Sequence, residues 1–360
     1  MLERIKKAQH CIDTVCKKIG RQINIMEVCG THTVSIFRNG IRSLLPANLK
    51  LLSGPGCPVC VTDQSYIDIV LDLADRDDYI VATYGDMIRV PGKKGSLETR
   101  TAKANVRVVL SSEDALQLAK DNPDRTVVFV AVGFETTAPA TAVAVREAAK
   151  QSIDNFCILA GHKLVVPAMR ALLAGKNPKI DGFLCPGHVS AIIGCRAFAE
   201  VVDDFARPCV VAGFEPIQIM EGLAEICNQL AAGKAQLKSV YTAVVTEQGN
   251  VTAQQIIAEC FEPADGYWRG LGLIHKSTLK LRDKYSRFDA MNRFGLKEIV
   301  CKDTSGCRCG DVLCGLIEPP QCSLFAKACT PQTPIGPCMV SSEGACSAWF
   351  KYGMKEHSKP

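Results

Sequence analysis

The chain has no long hydrophobic run and no recognisable export signal. None of its apolar stretches approaches the ~18 residues that a membrane-spanning helix needs. The first twenty residues carry a charged side chain every few positions, a pattern that predicts an amphipathic helix and not a signal peptide. We therefore expect a cytoplasmic protein with no membrane partner.

The chain also lacks a strong excess of charge of either sign. Its 42 Lys and Arg against 37 Asp and Glu leave a net charge of +5 over 360 residues, and the basic residues form no block. This balance gives no electrostatic footprint for nucleic acid, so no nucleic-acid partner is expected. With 47% hydrophobic and 22% charged residues, the composition is typical of a globular protein of two or three domains.

Cysteine, by contrast, is abundant, with 19 residues. In a reducing compartment these thiols should not form a structural disulfide framework, and their odd number points the same way. Some lie in apolar surroundings, where cysteine usually serves as a small buried hydrophobe. These are Cys11, Cys16, Cys157, Cys185, Cys195, Cys209, Cys227 and Cys260. The informative ones are Cys29, the Cys57–Cys60 pair and a dense run from Cys301 to Cys346.

Short apolar, β-branched runs alternate with helical patterns along most of the chain. Buried strands separated by helices predict parallel sheets built from βαβ units. The runs form two consecutive sets, at residues 23–28, 49–53, 79–84 and 106–110, and at residues 126–132, 156–160, 182–185 and 208–213. The predicted fold class is α/β, with two similar domains of parallel sheets flanked by helices and a third domain that is mainly helix and loop.

The predicted domain boundaries follow these sets. We expect an N-terminal helix over residues 1–23 that packs on the C-terminal domain, then α/β domains over 24–125 and 126–240. From about residue 240 the pattern changes to helix and loop, including a helical pattern in LKLRDKYSRFDAMNRFG, and then to a tail rich in cysteine and proline. Residues 241–360 therefore form the predicted third domain.

Polar side chains follow several of the predicted strands, and many of them occupy corresponding places in the two sets. The first strand of each set runs into VCGTHT or VGFETT, and a later strand runs into a Pro-Gly corner. Reactive residues collect at the carboxyl edge of parallel sheets, so a cleft between the two domains is expected, although a single His is more often structural. The candidate side chains are Cys29, His32, Cys57, Cys60, Glu135, His162 and His188.

Cys57 and Cys60 form a Cys-x-x-Cys motif behind a Gly-Pro-Gly corner. Thr62 can cap the next helix, which would put Cys60 just ahead of a helix N-terminus, where the pKa of a thiol falls. Gly54 and Gly56 let the backbone turn sharply and keep the sulfurs approachable. Such a pair can close as a disulfide, bind a metal through two thiolates, or stay unreactive in a loop.

The tail carries cysteines spaced C-x6-C-x8-C-x7-C, at Cys322, Cys329, Cys338 and Cys346. Structural zinc usually needs two tight C-x2–4-C pairs, and this run has none. Thiolates spread over a proline-rich loop favour an iron–sulfur cluster, with zinc and free thiols as the alternatives. Further thiols just upstream could donate a ligand or relay electrons; they are Cys301, Cys307, Cys309 and Cys314.

Five motifs in this order resemble the hydrogenase maturation factor HypD family, over essentially the whole chain. They are EVCGTHT (27–33), GPGCPVC (54–60), GFETTAP (133–139), PGHVS (186–190) and CTPQTPIGPCMVSSEGACSAW (329–349). Members of that family help to assemble the Fe(CN)2CO unit of nickel–iron hydrogenases, together with the small chaperone HypC and the cyanide-supplying protein HypE. The resemblance implies two α/β domains and a 4Fe–4S domain.

The resemblance also implies roles for the cysteines. Cys29 would ligate the Fe(II) that carries CN and CO, shared with a cysteine of the HypC partner. Cys57 and Cys60 would act as a redox-active dithiol or as further iron ligands. The tail set would hold the 4Fe–4S cluster through Cys322, Cys329, Cys338 and Cys346.

Two other functions compete with an assembly scaffold that has a redox role. A cluster-dependent thiol–disulfide reductase needs Cys57 and Cys60 but gives Cys29 and the GFETTAP segment no role. A zinc-bound interaction module lacks tight cysteine pairs and a basic face.

Overall fold

The computed structural model describes residues 2–103, 105–175, 180–297 and 306–353, so Cys301 lies outside the described residues. The short apolar runs form strands, as the sequence predicts. The strands are β1 (Ile23–Glu27), β2 (Leu49–Ser53), β3 (Tyr79–Thr83), β4 (Val106–Val108), β5 (Thr126–Gly133), β6 (Phe156–His162), β7 (Gly182–Pro186), β8 (Cys209–Ala212), β9 (Leu237–Ser239), β10 (Phe261–Trp268) and β11 (Gly272–Leu281).

The helical patterns between the strands form helices at the expected places. The helices are α1 (Leu2–Ile19), α2 (Gly30–Arg38), α3 (Pro58–Val61), α4 (Gln64–Ala74), α5 (Ser112–Asp121), α6 (Ala138–Lys150), α7 (Val165–Ala174), α8 (Gly187–Ile193), α9 (Ala199–Phe205), α10 (Pro216–Ala232), α11 (Val251–Cys260), α12 (Ala290–Arg293), α13 (Cys309–Leu313), α14 (Pro337–Val340) and α15 (Ala345–Ala348). Over the described ranges, no helix combines the length and the apolar content needed to span a bilayer.

Two parallel sheets organise the chain, and the α/β fold class is confirmed. One sheet has five strands in the order β2-β1-β7-β8-β9, and the other has four in the order β4-β3-β5-β6. Alternate residues of each strand face different cores. Met26 of β1 and Val128 of β5 share the core that joins the two sheets, whereas Ile25 and Phe129 face two outer cores.

The grouping of strands into two consecutive sets is wrong. The five-stranded sheet takes β1 and β2 from the first predicted set and β7 and β8 from the second, and the four-stranded sheet also mixes the two. The predicted division into 24–125 and 126–240 therefore cuts through both sheets. Strands buried on both faces are apolar throughout, so their local sequence does not specify which neighbour they pair with.

Over the part of the chain that the structure describes, the main packing partner of the N-terminal helix is not the C-terminal domain. Instead α1 lies along α10, on the outer face of the five-stranded sheet. Ile12 of α1 is fully buried in this core with Leu223 of α10, and Arg4 forms an ion pair with Glu221 at the rim. The apolar stripe of α1 covers sheet and helix surface that would otherwise face water.

Residues 261–281 form an antiparallel hairpin that the helix-and-loop prediction for this part of the chain missed. β10 and β11 pair across Phe261 and Leu281, and both residues pack on the outer core of the four-stranded sheet. The segment that follows was expected to be helical, but it holds only a 3-10 turn over Asp283–Phe288 and the short α12. Long exposed stretches and the residues Pro263 and Gly266 conceal the strand pattern in the sequence.

Candidate functional site

A cavity of about 470 Å³ lies where the carboxyl ends of strands from the two sheets meet. Its lining includes residues one to three positions after the ends of β1, β2, β5 and β7, together with one residue from the cysteine-rich tail. Those residues are Cys29, Gly56, Phe134, His188 and Glu343. Ligand sites commonly form at this edge of parallel sheets, so the cavity is the candidate site.

Cys29 lines this cavity, between the end of β1 and the start of α2. Its backbone is extended, with φ −149° and ψ 122°, and only 8% of the residue is exposed. Burial raises the pKa of the Cys29 thiol to about 12, so the thiol is protonated at neutral pH. A cation bound by this sulfur would therefore have to displace a proton.

Glu27 is a site residue that the sequence analysis missed. Its carboxylate accepts a hydrogen bond from the Cys29 backbone N–H at 3.2 Å and another from the Thr33 hydroxyl. Burial raises the pKa of Glu27 to about 8, against the opposing effect of these donors. An acidic residue at the end of an otherwise apolar strand was the sequence signal that could have identified it.

The Gly-Pro-Gly corner packs directly against Cys29. The Gly30 N–H donates to the Gly56 carbonyl at 2.9 Å, and a Cβ added to Gly56 would lie 2.2 Å from the Cys29 nitrogen. Only glycine fits this approach. The corner therefore brings the Cys-x-x-Cys motif beside Cys29, as the shared edge of β1 and β2 predicts.

Cys57 and Cys60 are joined by a disulfide, with their Cα atoms 5.2 Å apart. Cys57 is the N-cap of the short helix α3, and its sulfur accepts from the Cys60 N–H at 3.2 Å. The predicted capping role of Thr62 is wrong, because Asp63 caps α4 by accepting from the Ser65 N–H. Thr62 instead donates its hydroxyl proton to the Pro58 carbonyl.

His188 lines the cavity, whereas His32 lies behind its wall. Both rings pack on Phe214, with centroid distances of 3.9 Å for His188 and 4.8 Å for His32. Burial lowers the pKa of His32 to about 4, and its Nε2 lies 3.0 Å from the Gly213 carbonyl. His32 is therefore neutral at neutral pH and donates from Nε2, which supports His188 through the Phe214 ring.

Glu135 and His162 are also buried behind the cavity wall. The Glu135 carboxylate accepts from the Val165 N–H at 2.9 Å, and burial raises its pKa to about 7. His162 lies 3.2 Å from the Thr141 hydroxyl, and burial lowers its pKa to about 4. Neither side chain lines the cavity, although Phe134, next to Glu135, does.

The tail thiols gather in a second place, together with two of the upstream cysteines. The Cys338 sulfur hydrogen-bonds with the thiols of Cys309 and Cys346, and these contacts and burial hold its pKa well above the usual value. A small enclosed space nearby is lined by thiols, apolar side chains and Arg308. Its cysteines are Cys307, Cys309, Cys322, Cys329 and Cys346.

The grouped thiols of the tail have the chemistry that an iron–sulfur cluster requires of its ligands. Thiolates in apolar surroundings are the ligands that iron–sulfur clusters use, and the grouped thiols of the tail therefore fit a 4Fe–4S cluster. Cys309 belongs to the group as closely as the predicted ligands do, since its thiol contacts Cys338. Over the described ranges, no three His, Cys, Asp or Glu side chains are arranged as the ligands of a single metal ion.

The two thiol groups are connected through direct packing. Helices α13 and α14, which carry Cys309 and Cys338, both pack against α3, which carries Cys60. The turn of the hairpin also contacts this region, where Arg269 donates to the Thr62 carbonyl at 3.1 Å and to the Val61 carbonyl of α3 at 2.9 Å. The helix that carries Cys60 of the disulfide therefore packs against the two helices that carry Cys309 and Cys338.

Glu343 is the second site residue that the sequence analysis did not single out. It belongs to the loop between Cys338 and Cys346 and lines the cavity beside His188. Its carboxylate accepts from the Thr31 hydroxyl at 2.6 Å. An acidic residue within the SSEG segment, between two cysteines, was the available signal.

A comparison with known protein families identifies the family to which this chain belongs. The family model HypD, described as the hydrogenase formation hypA family, matches residues 3–353. The chain belongs to the HypD family. The resemblance carried by the five motifs is thereby confirmed.

Individual HypD relatives match over nearly their full length. The hydrogenase maturation factor HypD of Escherichia coli K12 is 45% identical, over 93% of this chain and 91% of the relative. That of Azotobacter vinelandii is 43% identical, over 94% and 91%. The hydrogenase expression/formation protein HupD of Azotobacter chroococcum is 42% identical over the same shares. This chain is therefore a hydrogenase maturation factor of the HypD type.

Proposed function

We propose that this HypD-family chain is a scaffold and redox component that assembles the Fe(CN)2CO unit of nickel–iron hydrogenases in the cytoplasm. Its partners are a HypC-type small chaperone and a HypE-type cyanide donor. The observation that carries the proposal is the position of Cys29, in the lining of a cavity of about 470 Å³ and against the Gly56 corner. A single thiol at such a site can hold a metal cargo while leaving space for a partner.

Cys29 would bind the Fe(II) cargo through its thiolate, with the remaining positions open to CN, CO and a cysteine of the HypC-type partner. A soft thiolate suits low-spin iron that carries strong-field ligands. Because the pKa of Cys29 is raised to about 12, binding releases the thiol proton. His188 is the cavity residue with an ionisable nitrogen, and it is the candidate to receive that proton.

Cys57 and Cys60 would act as the redox pair. Two electrons and two protons convert their disulfide into two thiols, which then lie beside Cys29 as further ligands or as a reductant. A 4Fe–4S cluster at the tail thiols would pass these electrons on one at a time from an external one-electron reductant, and the two protons would come from solvent. The packing of α13 and α14 on α3 supports this role, since it brings the helices that carry Cys309 and Cys338 against the helix that carries Cys60.

The test is to purify the chain without oxygen, together with its HypC-type and HypE-type partners, and to record infrared spectra. Fe–CN and Fe–CO stretches absorb where protein does not, so both bands are expected. Iron in excess of the roughly four atoms of one cluster should accompany them. A complex that holds only the cluster iron and shows neither band would contradict the scaffold function.

The Cys57–Cys60 disulfide also favours a second function, that of a cluster-dependent thiol–disulfide reductase. This function uses the same pair and the same tail thiols but leaves Cys29 without a role. Reduction of a protein disulfide by the chain, with equal rates in wild type and a Cys29→Ser variant, would support the reductase. Glu135, His32 and His162 would then be structural residues.

A further inference from the structure

The loop of residues 341–344 touches both walls of the cavity. The Ser341 hydroxyl donates to the Asp86 carboxylate at 2.9 Å, and Asp86 follows β3 of the four-stranded sheet. The Thr31 hydroxyl donates to Glu343 at 2.6 Å, and Thr31 lies in the first turn of α2, after β1 of the five-stranded sheet. One loop of four residues therefore bridges the two sheets where they meet Cys29.

This loop is also fixed to the tail thiols. It runs from α14, which carries Cys338, to α15, which carries Cys346. A Cβ added to Gly344 would lie 2.2 Å from the Cys338 carbonyl oxygen, so the loop closes tightly on that helix. At its other side, a Cβ added to Gly30 would lie 2.5 Å from the Glu343 Cβ. Gly30 directly follows Cys29.

Internal contacts make the loop one unit. Ser341 is only 2% exposed, and its hydroxyl accepts from the Glu343 N–H at 3.3 Å while it donates to Asp86. A displacement of Ser341 therefore moves Glu343 as well. The two wall contacts cannot be lost independently when the helices at the ends of the loop change position.

We propose that Ser341 and Glu343 are positioning residues that couple the arrangement of the tail thiols to access to Cys29. The inference rests on the proposed function, which makes Cys29 the site of the iron cargo. While the tail thiols are held together by a cluster, the loop holds both walls and narrows the cavity. When the thiols separate, Thr31 and Asp86 lose their partners and Cys29 becomes more accessible.

The test follows alkylation of Cys29 by iodoacetamide in the full chain, purified without oxygen, with the modified peptide quantified by mass spectrometry. Ser341→Ala and Glu343→Ala should each raise the rate about fivefold, since each removes one bridging hydrogen bond. Absorption near ~400 nm from the tail cluster should stay unchanged. Ser342→Ala is the matched control, because Ser342 is an exposed residue of the same loop, and it should leave the rate unchanged.

A second arm tests the coupling itself. In the chain produced without its partner proteins, so that no cargo iron occupies Cys29, removal of the cluster iron with a chelator should raise the Cys29 alkylation rate in wild type, but not further in a Ser341→Ala/Glu343→Ala double variant. Thr31→Val should raise the Cys29 alkylation rate as much as Glu343→Ala does, and the two substitutions together should raise it no further. The Thr31 variant keeps the test valid if one of the loop substitutions disturbs folding. Folding of each variant is checked by circular dichroism.

The outcomes separate the inference from the proposed function. Unchanged alkylation in the folded single variants, or an equal response of the double variant to iron removal, overturns the coupling. A wild-type chain with no ~400 nm absorption overturns the cluster instead, and the single-variant arm still decides whether the loop controls access to Cys29.

Discussion

Glu135 is a buried carboxyl whose protonation should control the stability of the fold. Burial raises its pKa from 4.5 to about 7, so the folded state binds the proton more tightly than the unfolded state. The stabilisation of the folded state that comes from this tighter proton binding is complete below about pH 4.5 and is lost as the pH rises through about 7. Ionised at higher pH, the carboxylate has one oxygen with no hydrogen-bond partner among the described residues.

A Glu135→Gln variant removes this titration while it keeps the acceptor for the Val165 N–H. The unfolding free energy of the variant minus that of wild type should rise by about 2 kcal/mol from about pH 5 to about pH 8, because only wild type loses stability as Glu135 ionises. Urea denaturation at both values measures the difference. A difference in unfolding free energy between the two proteins that does not change with pH would show that burial does not raise the pKa of Glu135.

Cys29 is the residue on which the proposed iron site depends. Because a serine hydroxyl is a poor ligand for soft Fe(II) at neutral pH, Cys29→Ser should abolish the Fe–CN and Fe–CO infrared bands of the purified complex. The ~400 nm absorption of the tail should remain. Cys11→Ser serves as the control, since Cys11 lies in α1, outside the cavity lining. Full-strength bands in Cys29→Ser would place the cargo on another residue.

At the scale of an element, the corner between β2 and α3 can be tested through its glycine. Gly56→Ala puts a methyl group where the Cys29 backbone lies, and we expect a loss of about 3 kcal/mol in unfolding free energy. Gly85→Ala is the control within the same cavity, since its Cβ would meet only Val108, at 3.8 Å. Equal stabilities of the two variants in urea would mean that the corner can move away from Cys29.

The tail segment provides a second test at this scale. Alanine at Cys338 or Cys346 should remove most of the ~400 nm absorption, because these thiols lie in the group that fits a cluster. Alanine at Cys314 should leave it, since that sulfur is directed to the Gly270 carbonyl. Alanine at Cys309 decides whether this upstream thiol is a ligand or a neighbour. Loss of the band only in the Cys314 variant would refute the assignment.

For the whole molecule, the mixed strand order predicts that the first predicted domain cannot fold alone. A fragment of residues 24–125 contains β1 to β4 but lacks β7 and β5, the second neighbours of β1 and β3. We expect no cooperative thermal transition and poorly dispersed amide signals in NMR spectra, in contrast to the full chain. A well-dispersed spectrum would show that the first two strands can pair without β7.

The sequence was a good guide to the elements and a poor guide to their partners. Strands such as β5 were predicted nearly to the residue, because long apolar runs are local properties. The pairing of the strands was not predicted correctly, because β1 pairs with β7, which lies more than a hundred residues later in the chain. Cys29 and His188 follow strands and could be predicted at the cavity, whereas Glu343 reaches it only through tertiary folding.

The packing of α1 on α10 has a consequence for synthesis on the ribosome. The helix α1 is made well before its partner, which begins at Pro216, roughly 200 residues later, and this distance takes about 10 to 40 s at 5–20 residues per second. Through that interval the stripe that includes Ala8, Ile12 and Cys16 lacks the helix that packs on it. The nascent chain must therefore be kept from aggregating until α10 is made, by which point four of the five strands of the five-stranded sheet have been translated.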